Sequence, residues 1–256
     1  MFDIVFTKEN IDEYLRKLAK CFRKLNGNKT PAEIILVGGA AVMLNYDFRD
    51  QSNDIDAVIY ASSAMTEAIN QIRDEENLQN GWLNSDFMKT ASYSPNLRLY
   101  SRHYKTFSNI VEFRTVSGEY LIAMKLMAGR KYKNDLSDIL GILEGEHQKG
   151  NDISLEKIKL AAKALYGDYD NLPESSRGFI EGIFLRLSCD IHNIYEEFRV
   201  KERENKKILV EFEKQHPNVL TYDNMDEILS AAKRKYKNIS NKRKEAFRLF
   251  SLLLDF

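Results

Sequence analysis

The sequence predicts a mixed α/β N-terminal half followed by an all-helical C-terminal half. Three observations carry that expectation. Short apolar, β-rich runs occur at Glu33 to Val37, Asp54 to Tyr60 and Ile110 to Arg114. The stretches between them repeat apolar residues every three or four positions. Beyond Ser154 only the helical period remains. The expected division is 1–150 for the α/β part and 151–256 for the helical part, with the break somewhere in 115 to 152.

The elements follow in order. Asn10 reads as an N-cap with Glu13 as its capping-box partner. Ile11, Leu15, Leu18, Phe22 and Leu25 then form an apolar stripe, and Asn26-Gly27 closes the helix. Glu33 to Val37 is a strand, broken by Gly38-Gly39, after which Ala40 to Leu44 starts a helix. A polar loop, Tyr46 to Asn53, leads to the strand at Asp54. Residues 62 to 77 read as helix, with Met65, Ala68, Ile69 and Ile72 on one face. Leu97 to Tyr100 reads as a short strand and Ile110 to Arg114 as a better one. Ser117 caps a helix carrying Leu121, Ile122, Met124 and Leu126. Leu136, Ile139, Leu140 and Leu143 mark another helix at i, i+3, i+4 and i+7. Ser154 to Tyr166 is a helix ended by Gly167. Residues 175 to 215 read as one long helix or two, and Thr221 onward as one or two more.

Composition bounds the rest. The chain has 256 residues, 43% hydrophobic and 30% charged, with a formal net charge of zero. That is an ordinary globular balance, so any nucleic-acid partner must be met by a local patch. Cys21 and Cys189 offer neither a disulfide framework nor zinc spacing. The first residues lack a basic region followed by a long apolar run. No apolar run approaches the roughly 18 residues of a membrane span. A cytoplasmic protein with no membrane partner is expected.

The chemistry concentrates in "ILVGGAAVMLNYDFRDQSNDIDAVI", residues 35 to 59. Side chains alternate along a strand, so Asp54 and Asp56 share one face, roughly 7 Å apart, while Ile55, Ala57 and Ile59 face the core. Two carboxylates on one face repel unless a cation neutralises them. Oxygen ligands at this separation suit Mg²⁺, and two-metal phosphoryl-transfer sites use such pairs. Gly38-Gly39, at a strand end that opens a helix, lets backbone N–H groups approach a triphosphate. Ser52 offers a hydroxyl to a phosphate oxygen, and Arg49 adds charge.

These residues resemble the nucleotidyltransferase signature of the polymerase-β superfamily: Gly-Gly or Gly-Ser, a gap, then Ser/Thr-x-Asp-x-Asp. Within it, the chain is most similar to the AbiEii-like abortive-infection branch, which includes toxins of toxin–antitoxin systems. Arg49, Ser52, Asp54, Ile55 and Asp56 match that branch's Arg-x-x-Ser-x-Asp-Ile-Asp. Ala123, Met124, Lys125, Leu126, Arg130, Asp135 and Asp138 match a later block. The resemblance covers about 30 to 145. It implies a polymerase-β-like core with a small mixed sheet, a helical domain after it, and a site in the cleft between them. It also implies Mg²⁺-dependent transfer of a nucleoside monophosphate from an NTP, with Asp54 and Asp56 as the metal-binding catalytic pair. Glu112 is the best candidate for the third carboxylate, although aspartate is common there. Lys125, with Arg130, is expected to contact the triphosphate. Asp135 and Asp138 are expected to orient Lys125 or Arg130.

Each signal also has an ordinary structural reading. Lys125 reads equally as a lysine lying along an amphipathic helix, Glu112 as an edge-strand charge, and Trp82 as core. Arg98, Arg102 and Lys105, interleaved with Tyr100, Tyr104 and Phe107, have the composition of a nucleotide contact or of a solvated hairpin. The block Lys233, Arg234, Lys235, Lys237, Lys242, Arg243 and Lys244 is a positive patch that can grip an RNA backbone. It also suits a solvated helix face or an antitoxin surface. A tRNA 3′ end or other RNA is the first acceptor, then a protein hydroxyl (AMPylation), then a small molecule. The reading from another class is a binding protein that keeps the fold without catalysis.

Overall fold

The computed structural model describes residues 4–27, 30–130, 133–185, 191–221 and 224–234. It is mixed α/β with a small mixed sheet. In chain order the elements are β1 (Phe6–Thr7), α1 (Ile11–Asn26), β2 (Ala32–Leu36), α2 (Gly38–Asn45), β3 (Gln51–Ser52), β4 (Ile55–Tyr60), α3 (Ala64–Glu76), β5 (Leu83–Asn84), α4 (Leu97–Tyr100), β6 (Ser101–Phe107), β7 (Val111–Val116), α5 (Gly118–Ala128), α6 (Asp135–Gln148), α7 (Leu155–Tyr166), α8 (Glu174–Leu185) and α9 (Ile191–Gln215). Residues 225–234 are helical as well.

The main sheet has the order β5-β4-β2-β7-β6. Central β2 runs antiparallel to β4, with Leu36 opposite Ala57, and parallel to β7, with Ile34 opposite Phe113. One face carries Ile34, Leu36, Ile55, Ala57, Val111 and Phe113. It is covered by Ile11, Leu15, Leu18 and Phe22 of α1 and by Met65, Ala68 and Ile72 of α3. The helical period of α1 and the two-residue period of β4 therefore meet at one core. Trp82 is fully buried in it, its indole N–H donating to Ile69 O at 3.1 Å.

Three local expectations change. Asn10 does not form a capping box. Its side chain turns back to accept from Thr7 N and donate to Val5 O. Leu97–Tyr100 is helical, not a strand. Ser94 Oγ and Asn96 Nδ2 bind the carbonyls of Leu165 and Ala164, fixing a turn there and delaying the strand to Ser101. Asp54 precedes β4 in a bend and does not open the strand.

The described residues of 1–129 with 135–195 form one compact unit, and those of 130–134 with 196–256 form another. The expected division at 150/151 falls inside the first unit, where α7 packs on α5. In the second unit Leu209 and Leu229 are buried against each other, flanked by Ile208, Leu220, Met225 and Ile228. No described helix is long and apolar enough to cross a membrane.

Candidate active site

The strand–helix turn at Gly38-Gly39 uses its two glycines for different reasons. Gly38 has φ +58°, a left-handed conformation that costs any residue with a Cβ. A Cβ there would also lie 2.8 Å from Asp56 Oδ2. Gly39 faces the incoming loop: a Cβ would lie 2.5 Å from Arg49 Nη2 and 2.8 Å from Ser52 Oγ. Val37 precedes α2 and no side chain caps the helix. Its first N–H groups thus form an electropositive end beside the Asp56 carboxylate. The backbone bond from Val37 N to Asp56 O, 2.9 Å, ties the turn to β4.

The loop from Tyr46 to Ser52 is seated on α5 and α6. The Tyr46 hydroxyl occupies the space a Cβ on Gly118 would take, at 2.5 Å, and its ring sits 2.9 Å from a Cβ placed on Gly145. The Phe48 ring lies against Gly141, 2.7 Å from such a Cβ. Burial, and then the Glu146 carboxylate, push the Tyr46 phenol above the ordinary tyrosine range, so it stays protonated. This seating delivers Arg49 to α6, where Nη1 meets Asp138 Oδ2 at 2.6 Å. Lys125 Nζ reaches the same oxygen at 2.6 Å and Asp135 Oδ1 at 3.3 Å. Lys125, Asp135 and Asp138 are all nearly fully buried. Lys125 is therefore a paired interior cation, not a lysine lying along the surface. Asp138 joins it to Arg49 and so to the glycine turn.

A family model described as "Nucleotidyltransferase of unknown function (DUF6036)" matches residues 13–170, more than half of the chain. The chain belongs to this family. No curated protein and no solved structure matches it. The matched span contains the whole arrangement just described. Nucleotidyl transfer is thus the general activity to set against the geometry.

Seen as a nucleotidyltransferase, the chain brings Gly38, Gly39, Arg49, Ser52, Asp56 and Lys125 into one connected region of the first unit. Asp54 stands two residues before Asp56 and is exposed. Together they present oxygen donors only. Mg²⁺ takes such donors, commonly one or two carboxylates with phosphate oxygens and water completing its shell. The pair fits that role. Among the described residues no three His, Cys, Asp or Glu side chains group as a metal site.

Glu112 is not brought to this pair, which corrects its place as a third metal ligand. It lies opposite Glu33, which lies opposite Tyr60. All three share the sheet face of Asp56, but Tyr60 is four residues along β4, roughly 13 Å away. Glu112 instead accepts from Arg114 Nη1 at 2.6 Å. The aromatic run before it is likewise engaged within the fold. Tyr104 donates to Asp12, Lys105 pairs with the same carboxylate, Phe107 packs on Phe113, and Arg98 binds Glu33 and lies 4.6 Å above Tyr60.

Arg130 falls in the second unit. Lys233 and Arg234 are exposed on the helix 225–234, whereas Lys235, Lys237, Lys242, Arg243 and Lys244 lie outside the described residues. Sequence reasoning missed Tyr46 and Phe48 as the loop's anchors. The available signal was Gly141 and Gly145, two glycines inside a helical pattern, which usually have a packing reason.

Proposed function

We propose that this nucleotidyltransferase moves a nucleoside monophosphate from a Mg²⁺-bound NTP to an acceptor hydroxyl. The observation that carries the reading is the turn at Gly38-Gly39. Asp56 abuts one glycine, Ser52 and Arg49 abut the other, and an uncapped helix end stands between them. Asp54 and Asp56 hold the metal, which when bound supplies charge neutralisation at the α-phosphate. Gly38 and Gly39 seat the β- and γ-phosphates by backbone N–H, and Ser52 adds a hydroxyl. Arg49 counters the charge gathering on the leaving pyrophosphate, and Lys125 supports it from behind by pairing with Asp138, the carboxylate that holds Arg49. The acceptor oxygen bonds to the α-phosphorus as the bond to the bridging α–β oxygen breaks, pyrophosphate leaves, and the hydroxyl proton passes to solvent. The chain's contribution is positioning and fixed charge.

The acceptor we favour is RNA, at a tRNA 3′ end, with the protein acting as a toxin of the abortive-infection type held by a cognate antitoxin. The support is the likeness of the Arg49–Asp56 segment to that branch and the basic block beginning at Lys233 and Arg234. The test incubates the protein with each α-³²P-labelled NTP, Mg²⁺, total tRNA and lysate, beside an Asp54→Asn/Asp56→Asn control. Label on RNA, absent in the control, is expected. Label on protein would replace RNA with AMPylation, and label on small molecules with a small acceptor. No label from a folded protein that still binds RNA or a partner would replace catalysis with binding.

A further inference from the structure

Residues 4–10 lie ahead of the span matched by the family and touch both halves of the site. β1 pairs antiparallel with β3, Phe6 opposite Ser52 and Thr7 opposite Gln51. Among the described residues β3 pairs with no other strand. The backbone of Ser52 therefore takes its register from β1. Lys8 Nζ meets the Asp47 carboxylate at 2.5 Å, near the other end of the same loop.

Two side chains hold this strap in shape. Asn10 Oδ1 accepts from Thr7 N at 2.9 Å, and its Nδ2 donates to Val5 O at 3.0 Å. The Phe6 ring is fully buried, with its centroid 5.4 Å from Tyr14 and 5.9 Å from Trp82. Trp82 O in turn accepts from Ile55 N at 2.8 Å, and Ile55 is the residue between Asp54 and Asp56. One segment thus reaches Ser52 through the backbone and the Asp-Ile-Asp run through Trp82.

We infer that the strap 4–10 is a positioning element of the nucleotide site, with Asn10 setting its curl and Phe6 its depth. The inference rests on the reading of the glycine turn as an NTP site. Asn10 and Phe6 touch no substrate. They act through Ser52 and Ile55, so loosening them weakens nucleotide binding without removing a ligand-binding group.

The experiment combines hydrogen exchange with equilibrium binding of Mg²⁺ and the α,β-methylene analogue of each NTP. It compares wild type, Asn10→Ala and Asn10→Asp, with melting curves to establish folding. In wild type, bound analogue should slow exchange at 6–7 and 51–52, because coupling between strap and site is reciprocal. Asn10→Ala should raise the Kd by up to about tenfold, near the worth of one ordered hydrogen bond. Asn10→Asp keeps the acceptor for Thr7 N and loses the donor to Val5 O, so it should fall between. Analogue binding that leaves exchange at 6–7 and 51–52 unchanged would overturn the strap's role. So would faster exchange in Asn10→Ala at unaltered Kd. No binding of any analogue to wild type would overturn the nucleotide site first, and the strap's role with it.

Discussion

Replacing Gly39 by alanine should separate nucleotide binding from folding. The new methyl would meet Arg49 Nη2 at 2.5 Å, Ser52 Oγ at 2.8 Å and Arg49 Cζ at 3.0 Å. The atoms nearest it are mostly the far end of a flexible, partly exposed side chain, so the guanidinium swings away and the backbone stays. That loosens the 2.6 Å contact to Asp138, a cost of about 1 kcal/mol because the carboxylate keeps Lys125 as its partner. Alanine returns up to about 1 kcal/mol over glycine in a helix. The net change in stability should lie within about 1 kcal/mol. Nucleotide binding has no such compensation, because the methyl fills the cradle and Arg49 leaves it. A rise in Kd of at least tenfold is expected, about 1.4 kcal/mol. Gly38→Ala is the contrast. Its φ of +58° imposes about 1–2 kcal/mol on any Cβ, and the methyl would press on Asp56 Oδ2 at 2.8 Å. That variant should lose both stability and binding. Urea unfolding and Mg²⁺-analogue binding on the same preparations decide it. Wild-type affinity in Gly39→Ala, or a stability loss equal to that of Gly38→Ala, would refute the reasoning.

Lys125→Met should cost about 3–5 kcal/mol in urea unfolding. It removes a nearly buried cation from Asp135 and Asp138, which are 1% and 4% exposed; a loss under 1 kcal/mol would mean the pair is solvated. Glu112→Gln should leave transfer within about twofold, since a carboxylate roughly 13 Å along the sheet cannot share a metal with Asp56. A hundredfold fall in labelled product would overturn the register argument. At alkaline pH, burial holds the phenols of Tyr46 and Tyr166 above their ordinary range and pushes Tyr169 up to about 12. The unfolded chain releases those protons near pH 10 while the folded chain keeps them. Stability should therefore be intact below pH 10 and fall as pH rises toward 12. The last part of the absorbance rise at 295 nm should then coincide with the change in circular dichroism; ionisation of all tyrosines before unfolding would contradict it.

The parts of this fold legible in the sequence are those set by local pattern. The stripe of Ile11, Leu15, Leu18 and Phe22, and the alternation of Ile55, Ala57 and Ile59, each specify a face without knowledge of the partner. The double glycine between a strand and a helix is legible for the same reason. What could not be read is what tertiary contacts decide. Leu97–Tyr100 has strand-like composition, yet Ser94 and Asn96 bind two carbonyls of α7 and turn the segment into helix. Asn10 has a capping residue's chemistry, yet its side chain spends both hydrogen bonds on the strap. Glu112 has the right residue type on a strand of the same sheet. Register decides whether it reaches Asp56, and register is set by pairing across the sheet.

The site also explains why α6 carries glycines in a buried stretch. Each costs about 1 kcal/mol against alanine in a helix interior, so some other contact must require the missing Cβ. Asp138, Gly141 and Gly145 stand at i, i+3 and i+7, one face of the helix. Arg49, Phe48 and Tyr46 meet them in reverse order: guanidinium on Asp138, one ring on Gly141, the other on Gly145. The rings fix where the loop lies and the carboxylate fixes where its cation ends. Side chains 89 residues apart in sequence thus form one unit. Its output is the position of Arg49 beside Gly39. A cation held only by its own flexible stem would lose that position to solvent. A cation whose neighbours are wedged into helical notches is already in place, which is what charge stabilisation in phosphate chemistry demands.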